Sequence, residues 1–271
     1  MKVLALDSSG PVVALGVADG RKILAESQFS AGSKTVGLLA PEMEKILSAA
    51  GVRPVELDGF ALGAGPGSFT GLKVGFAAIM GLAFNGNKPI WTFPSLKLTA
   101  LGLALSAEFK KRLSAVSVRE KQPAFRPDSG GMNLGFGKGS AAAREEVAAM
   151  NKILVLTGAK KGYFYRCMFA FVENGVEEVE PLAAQKIEEL VRPRQEIGVW
   201  VTGSALETER SAVMGRLRPQ DRAAAKDFWH PPAGLLAQLA AAGKLGEAVG
   251  KNGVLEPIFL KSFETRFKEI G

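Results

Sequence analysis

The sequence predicts an α/β protein whose plan is written twice: two mixed sheets, each opening on the order β-β-β-α-β, with helices packed on them. Three observations carry that prediction. The first 107 residues read as three short apolar strands followed by alternating helix and strand patterns. The chain after Met150 repeats the same grammar without evident sequence identity. Between them, Glu108–Met150 is rich in Gly, Ser, Pro and charge, with little apolar periodicity before "AAAREEVAAM". Such a long connection without elements of its own is unusual inside a compact domain. The expected division is an N-terminal lobe at 1–107, an insertion or linker at 108–150 and a C-terminal lobe at 151–271.

"KVLALD" is a short apolar strand ending at Asp7, and "SSGP" turns the chain. "VVALGVAD" and "KILAESQF" are two more strands joined by the turn "DGRK". In "KTVGLLAPEMEKILSAAG", Leu39, Met43, Ile46, Leu47 and Ala50 recur at three- and four-residue spacing. That is the signature of an amphipathic helix over Val36–Ala50, stopped at Gly51. "LDGFALGAG" is a strand, a second helix runs to about Asn85, and "PIWTF" is a strand. "SLKLTALGLALSAEF" is a third helix with Ser95 as its N-cap. In the second half, "KILVLTGAKKGYFYRCMFAFVENGVEEVEPL" reads as three strands with "ENG" as a hairpin turn. "AAQKIEELV" reads as a helix, "GVWVTGSAL" as a strand opening into a turn, and "PPAGLLAQLAAAGKLGEAV" as a helix.

The bulk properties narrow the class. The chain has 271 residues, 47% hydrophobic and 23% charged, an ordinary globular composition. No apolar run reaches the length of a membrane span. "MKVLALDSSG" has neither a long apolar h-region nor a small-residue cleavage site, so no leader is expected. Cys167 is the single cysteine, which rules out an internal disulfide and fits a reducing, cytoplasmic setting. Its apolar neighbours in "YFYRCMFAFV" read as a buried, inert thiol. A net charge of +7 leans towards nucleic acid or acidic partners, but the basic residues are scattered and form no run.

Catalytic chemistry is thinly provided. The one histidine, His230 in "DFWHPPAG", makes neither a two-His metal pair nor a Ser-His-Asp or Cys-His set. No metal, cofactor or nucleophilic catalysis is expected, and His230 reads as a structural or surface residue. Asp7-Ser8-Ser9 at a strand end has two readings. It is either a vestigial nucleotide loop or a turn whose side chains satisfy backbone groups. Gly203-Ser204 after "VWVT" is the matching turn of the second half.

The stretch "LGAGPGSFTGLKVG" invites a phosphate reading and fails both tests for one. A P-loop needs Lys after its last Gly, and Gly71 is followed by Leu72. A dinucleotide fingerprint needs a third Gly where Thr70 stands. It reads instead as a strand-to-helix corner. Pro66 fixes φ, Gly65 and Gly67 allow positive φ or close approach, and Ser68 or Thr70 caps the helix. Free N–H groups there are a possible anion site. Gly71 and Gly75 are small interruptions on the helix that follows. From Leu72 to Phe84 only Lys73 is charged, so apolar side chains ring the helix and require cover on every side. The sheet covers one face. The second cover is either another helix of the same lobe or a partner protein lying across this helix and Val36–Ala50.

Four segments together are similar to the TsaB (also called YeaZ) family: "KVLALDSS", "LDGFALGAGPGSFTGLKVGFAAIMGLA", "LTGAKKGYFY" and "LEPIFLK". The resemblance covers most of the chain except about Glu108–Met150, and "GPGSFTGLKVG" is its most specific motif. The chain departs from the family pattern in several places. Thr35 and Val36 stand for a His-Ser/Thr pair, and Lys73 stands for Arg. Gly158, Lys160 and Tyr163 stand for Asp, Arg and Glu, with Tyr165 kept, and Phe259 and Lys261 replace Tyr and Arg.

The resemblance implies an actin-like (ASKHA) fold of two related lobes. It implies a cytosolic, non-catalytic scaffold that activates TsaD, the catalytic paralogue. TsaD acts with the ATPase TsaE to place a threonylcarbamoyl group on N6 of adenosine 37 in tRNA (t6A). It also implies pairing with a TsaD-like subunit, or with a second copy when alone, through the N-terminal helices, with tRNA met only indirectly. The contact residues expected are Leu39, Met43 and Ile46 on the first helix and Phe76, Ile79, Met80 and Phe84 on the second. The alternatives within the fold are two. One is an ATP-dependent kinase or phosphotransferase that holds Mg-ATP through Asp7 and Ser8. The other is a glycoprotease-type peptidase, for which the His pair and triad are missing.

Overall fold

The computed structural model describes residues 1–30, 35–84, 86–107, 109, 151–159, 162–172, 175–190, 198–246, 248 and 257. Apart from Phe109, the expected insertion lies outside the described residues, as do Lys160, Phe259 and Lys261.

The first sheet holds β1 (Lys2–Asp7), β2 (Val12–Asp19), β3 (Lys22–Ser30), β4 (Gly59–Gly63) and β5 (Ile90–Phe93) in the order β3-β2-β1-β4-β5. The meander β1-β2-β3 is antiparallel, whereas β4 and β5 join parallel to β1. The second sheet holds β6 (Lys152–Gly158), β7 (Tyr163–Val172), β8 (Gly175–Lys186), β9 (Trp200–Thr202) and β10 (Arg222–Ala223) in the order β10-β9-β6-β7-β8. Position for position, both the order and the strand senses repeat those of the first sheet. The fold is the actin-like duplicated one.

Central strands buried on both faces read as unbroken apolar runs, and β1 and β4 do so. The period of two then sorts the side chains of β1. Leu4 and Leu6 join a core with α1 (Thr35–Ala50) and α2 (Phe69–Phe84), while Val3 and Ala5 join a core with α3 (Ser95–Ala104) and α6 (Ala233–Ala241). Helices α3 and α6 form the seam between the sheets. Leu96, Ala100 and Leu103 of α3 pack with β6, β7 and β9 of the second sheet. Leu236, Ala237 and Ala240 of α6 pack with Val3, Ala18 and Ala61 of the first. The seam is tight: a Cβ on Gly102 would stand 2.8 Å from Pro232 Cγ, and one on Gly16 would overlap the Ala233 backbone.

Three expectations are corrected. The stretch "AAQKIEELV" is not a helix. Ala183–Lys186 pair with Tyr163–Arg166 and extend β8, and only Ile187–Glu189 make a 3₁₀ turn. Sheet pairing overrides a helical propensity worth only tenths of a kcal/mol per residue. The second half therefore has no counterpart of α1 among the described residues. The counterpart of α2 is two short helices, α4 (Ala205–Thr208) and α5 (Arg210–Met214). The last helix stops at Ala241, and the short edge strand β10 was not anticipated. Finally, Ser95 is not a cap: Pro94 holds the N-cap position and Ser95 is the first residue of α3.

Candidate functional site

The Gly-rich corner and the Asp7 turn are one piece of structure. Ser8 Oγ donates to the Gly71 carbonyl (2.8 Å), and Ser68 N donates to the Ser9 carbonyl (2.6 Å). Added Cβ atoms at Gly63, Gly67, Gly71 and Gly75 would overlap Asp7, Ser9 or Ser8. These glycines are there for close approach. Gly65 does need left-handed backbone, with φ at +90° before a cis bond to Pro66. Ser68 Oγ accepts from Gly71 N (3.1 Å) and so closes the first turn of α2, while Thr70 is exposed.

Asp7 is 1% exposed and every oxygen is engaged. Oδ1 accepts from Ser9 N (2.9 Å) and Ser9 Oγ (2.6 Å), and Oδ2 accepts from Ser95 Oγ (2.6 Å). Ser95 Oγ in turn accepts from Gly65 N (3.0 Å), tying the corner to α3. Burial pushes the Asp7 carboxyl up, against the hydrogen bonds it accepts. Asp7, Ser8 and Ser9 thus bond to one another, to Ser95 and to the Gly71 carbonyl. In the second half Gly203 has φ at +110°, and Ser204 is buried at the start of α4. Cys167 is 2% exposed, and burial and nearby carboxylates push its thiol up to about 12.

The outer helical layer has a different character. Leu72, Gly75, Phe76, Ile79 and Ala83 face inward from α2, and Leu39, Met43, Ile46 and Leu47 face inward from α1. All of them belong to the core over the sheet. The expected contact list is therefore corrected: Leu39, Met43, Ile46, Phe76 and Ile79 are already buried in this chain. Met80 (46% exposed) and Phe84 (90%) remain open. Val36 (70%) and Leu38 on α1 and Leu82 on α2 are also exposed, and the sequence reading missed them. The signal for them was the helical phase. The amphipathic stripe of a helix marks what it buries at home, so a second face lies among the apolar residues left over.

Beside them is a groove of about 910 Å³. Met43 and Leu47 of α1, Ala78 and Leu82 of α2, and Leu57 and Phe60 form its walls, with Arg53 and Lys88 at its edge. Lys88 Nζ holds the segment there by donating to the carbonyls of Pro54 (3.2 Å) and Val55 (3.1 Å). Arg53 donates from its backbone and guanidinium to Glu56, which those bonds hold down at about 2. Among the described residues no cluster of His, Cys, Asp or Glu has the makings of a metal site. No helix there is long and apolar enough to cross a membrane.

A family model described as TsaD, tRNA N6-adenosine threonylcarbamoyltransferase, matches residues 31–212. The tRNA threonylcarbamoyladenosine biosynthesis protein TsaB of Haemophilus influenzae is 39% identical over 66 residues, which is 24% of this chain and 27% of that protein. The Escherichia coli TsaB is 26% identical over 119 residues, 44% of this chain and 51% of that protein. The chain belongs to the TsaD family. The matched segments span about a quarter and about half of those two relatives. The fold is shared over nearly the whole length with YeaZ from Pseudomonas aeruginosa, at 19% identity and a TM-score of 0.64, covering 96% of this chain and 99% of that one. A second structure, an uncharacterized Pseudomonas aeruginosa protein similar to peptidase YEAZ, aligns with a TM-score of 0.63 at 19% identity. It covers 94% of this chain and 97% of that one.

Proposed function

We propose that this TsaB-type chain is a non-catalytic, cytoplasmic subunit of a tRNA t6A37-forming complex. It scaffolds a TsaD-like catalytic subunit, with a TsaE-like ATPase in the assembly and tRNA bound by the other subunits. The observation that carries the reading is the bare apolar face of α2. An all-apolar helix buries one stripe and leaves Met80 and Phe84 in water beside an apolar groove, a surface suited to an aromatic-anchored protein contact. Gly81 on the same face has open space around it, which lets a partner helix approach. Alone, two copies meet through the same helices. The kinase alternative needs Asp7 and Ser8 turned towards a phosphate, and both bond inward. The peptidase alternative lacks its nucleophile and base.

The test is co-expression of the full chain with the TsaD-like protein of its own host, followed by size exclusion. A single co-eluting complex that restores t6A to tRNA in a strain lacking the native subunit is the expected result. Separate elution with no restoration refutes the reading, and ATP hydrolysis by the lone chain favours the kinase.

A further inference from the structure

His230 is the single histidine of the chain and lies in the seam between the two halves. It is 5% exposed, and Nδ1 is buried without a hydrogen-bond partner. Nδ1 lies 4.0 Å from where a Cβ on Gly10 would stand, against the turn that follows β1. Nε2 is 3.0 Å from Glu207 Oε2 on α4, an ion pair only when the ring is protonated. The charged groups that face the ring are Asp7 at the end of β1, Glu207 on α4 and Lys226 in the 3₁₀ turn Lys226–Phe228. Pro231 and Pro232 follow, leading into α6, which packs on the first sheet.

This is an unusual place for an imidazole. A buried polar group without partners costs about 1–3 kcal/mol, and an apolar side chain of that size would fill the seam without that cost. What an apolar residue lacks is a proton site that titrates near neutrality. We propose that His230 is a proton-operated latch. Neutral, it packs the first-half turn at Gly10 against α4. Protonated, it takes on a charge that the dry seam holds poorly, and the seam opens to hydrate it. The two carboxylates attract the imidazolium and Lys226 repels it. Removal from water is the larger effect, and it lowers the histidine below its ordinary value.

The linkage sign follows. A histidine that is lowered in the closed state and ordinary in the open state contributes nothing above about pH 6.5. As pH falls through that value, the open state gains protons first and closure weakens. At pH 5.5, one unit below the ordinary histidine value, the opening equilibrium grows by at most about tenfold.

With one histidine, the experiment is direct. The ring ¹⁵N and ¹H signals of the full chain report the protonation of His230. Amide hydrogen exchange, corrected to protection factors, reports opening at Gly10, Leu206 and Trp229. The expected result is a titration midpoint below the ordinary histidine value, moving lower still in Glu207→Gln, and protection at those amides falling severalfold, by at most about tenfold, between pH 7.5 and 5.5. In His230→Phe the loss of protection should disappear. If that variant does not fold, Glu207→Gln decides: its histidine must titrate lower, and its seam must lose at least as much protection between pH 7.5 and 5.5 as the wild type. An ordinary or raised midpoint overturns the proposal. So does a pH-dependent loss of protection that is unchanged in His230→Phe, or smaller in Glu207→Gln than in the wild type.

Discussion

Replacing Ser95 by Ala removes one hydroxyl that serves two buried groups. Its Oγ donates to Asp7 Oδ2 and accepts from Gly65 N, and the residue is 1% exposed. The variant leaves the Gly65 N–H without a partner, costing about 1–3 kcal/mol. It also takes from a buried carboxylate a hydrogen bond of the charged class, contributing about 1.5–3 kcal/mol. A loss of roughly 3–6 kcal/mol is a large share of the 5–15 kcal/mol typical of a folded domain. The pH dependence separates the two parts. Burial already raises Asp7, so its charged form weakens the native state as pH rises through the folded-state value. Losing Ser95 raises it further, so the loss is larger at pH 7 than near pH 4, where about the orphaned N–H alone remains. Urea unfolding followed by circular dichroism at both pH values measures this, with Thr99→Ala as the control. Thr99 Oγ1 only back-bonds to the Ser95 carbonyl at 3.0 Å, and its loss costs about 1 kcal/mol. A Ser95→Ala loss no larger than the control, or equal at the two pH values, refutes the reasoning.

Phe84→Asp should leave the melting temperature near wild type, because the ring is 90% exposed, yet weaken pairing with a TsaD-like subunit. Loss of about 1.5–3 kcal/mol of burial is roughly ten- to hundredfold in Kd by calorimetry; binding within threefold of wild type would remove Phe84 from the interface. Two glycines in the same motif region should respond oppositely. Gly67→Ala drives a Cβ into the Ser9 carbonyl and destabilises strongly, whereas Gly81→Ala meets open space and stabilises α2 by about 0.5–1 kcal/mol, and equal unfolding midpoints would contradict this. With its thiol pushed up to about 12, Cys167 should resist thiol reagents in the native protein at pH 8 and react only on unfolding; rapid native labelling would show that the strand opens.

Much of the fold was legible because it rests on local signals. The meander of the first half, the amphipathic phase of Leu39, Met43 and Ile46, and the repeat of strand grammar in the second half all appear in the chain as periodicities. The helix expected at "AAQKIEELV" failed because pairing with β7 outweighs a weak propensity, and nothing in nine residues announces a partner strand. The corner "GAGPGSFTG" was legible as a strand-to-helix turn. That its glycines make room for Asp7, Ser8 and Ser9 was not, because the two segments lie some sixty residues apart in the chain.

The sequence by itself determined that α2 is apolar around its whole circumference, that one histidine and one cysteine leave little catalytic chemistry, and that the plan is duplicated. Only the tertiary structure decided which half of that circumference is free. Packing on the sheet consumes Phe76 and Ile79 and leaves Met80 and Phe84 outside. It also decided that Asp7 is closed off by Ser9 and Ser95, and that the single histidine lies against the other half of the molecule. The reason is the same in each case. Side-chain chemistry and local period are written residue by residue, whereas burial and partnership are properties of two segments brought together, and the chain states only one segment at a time.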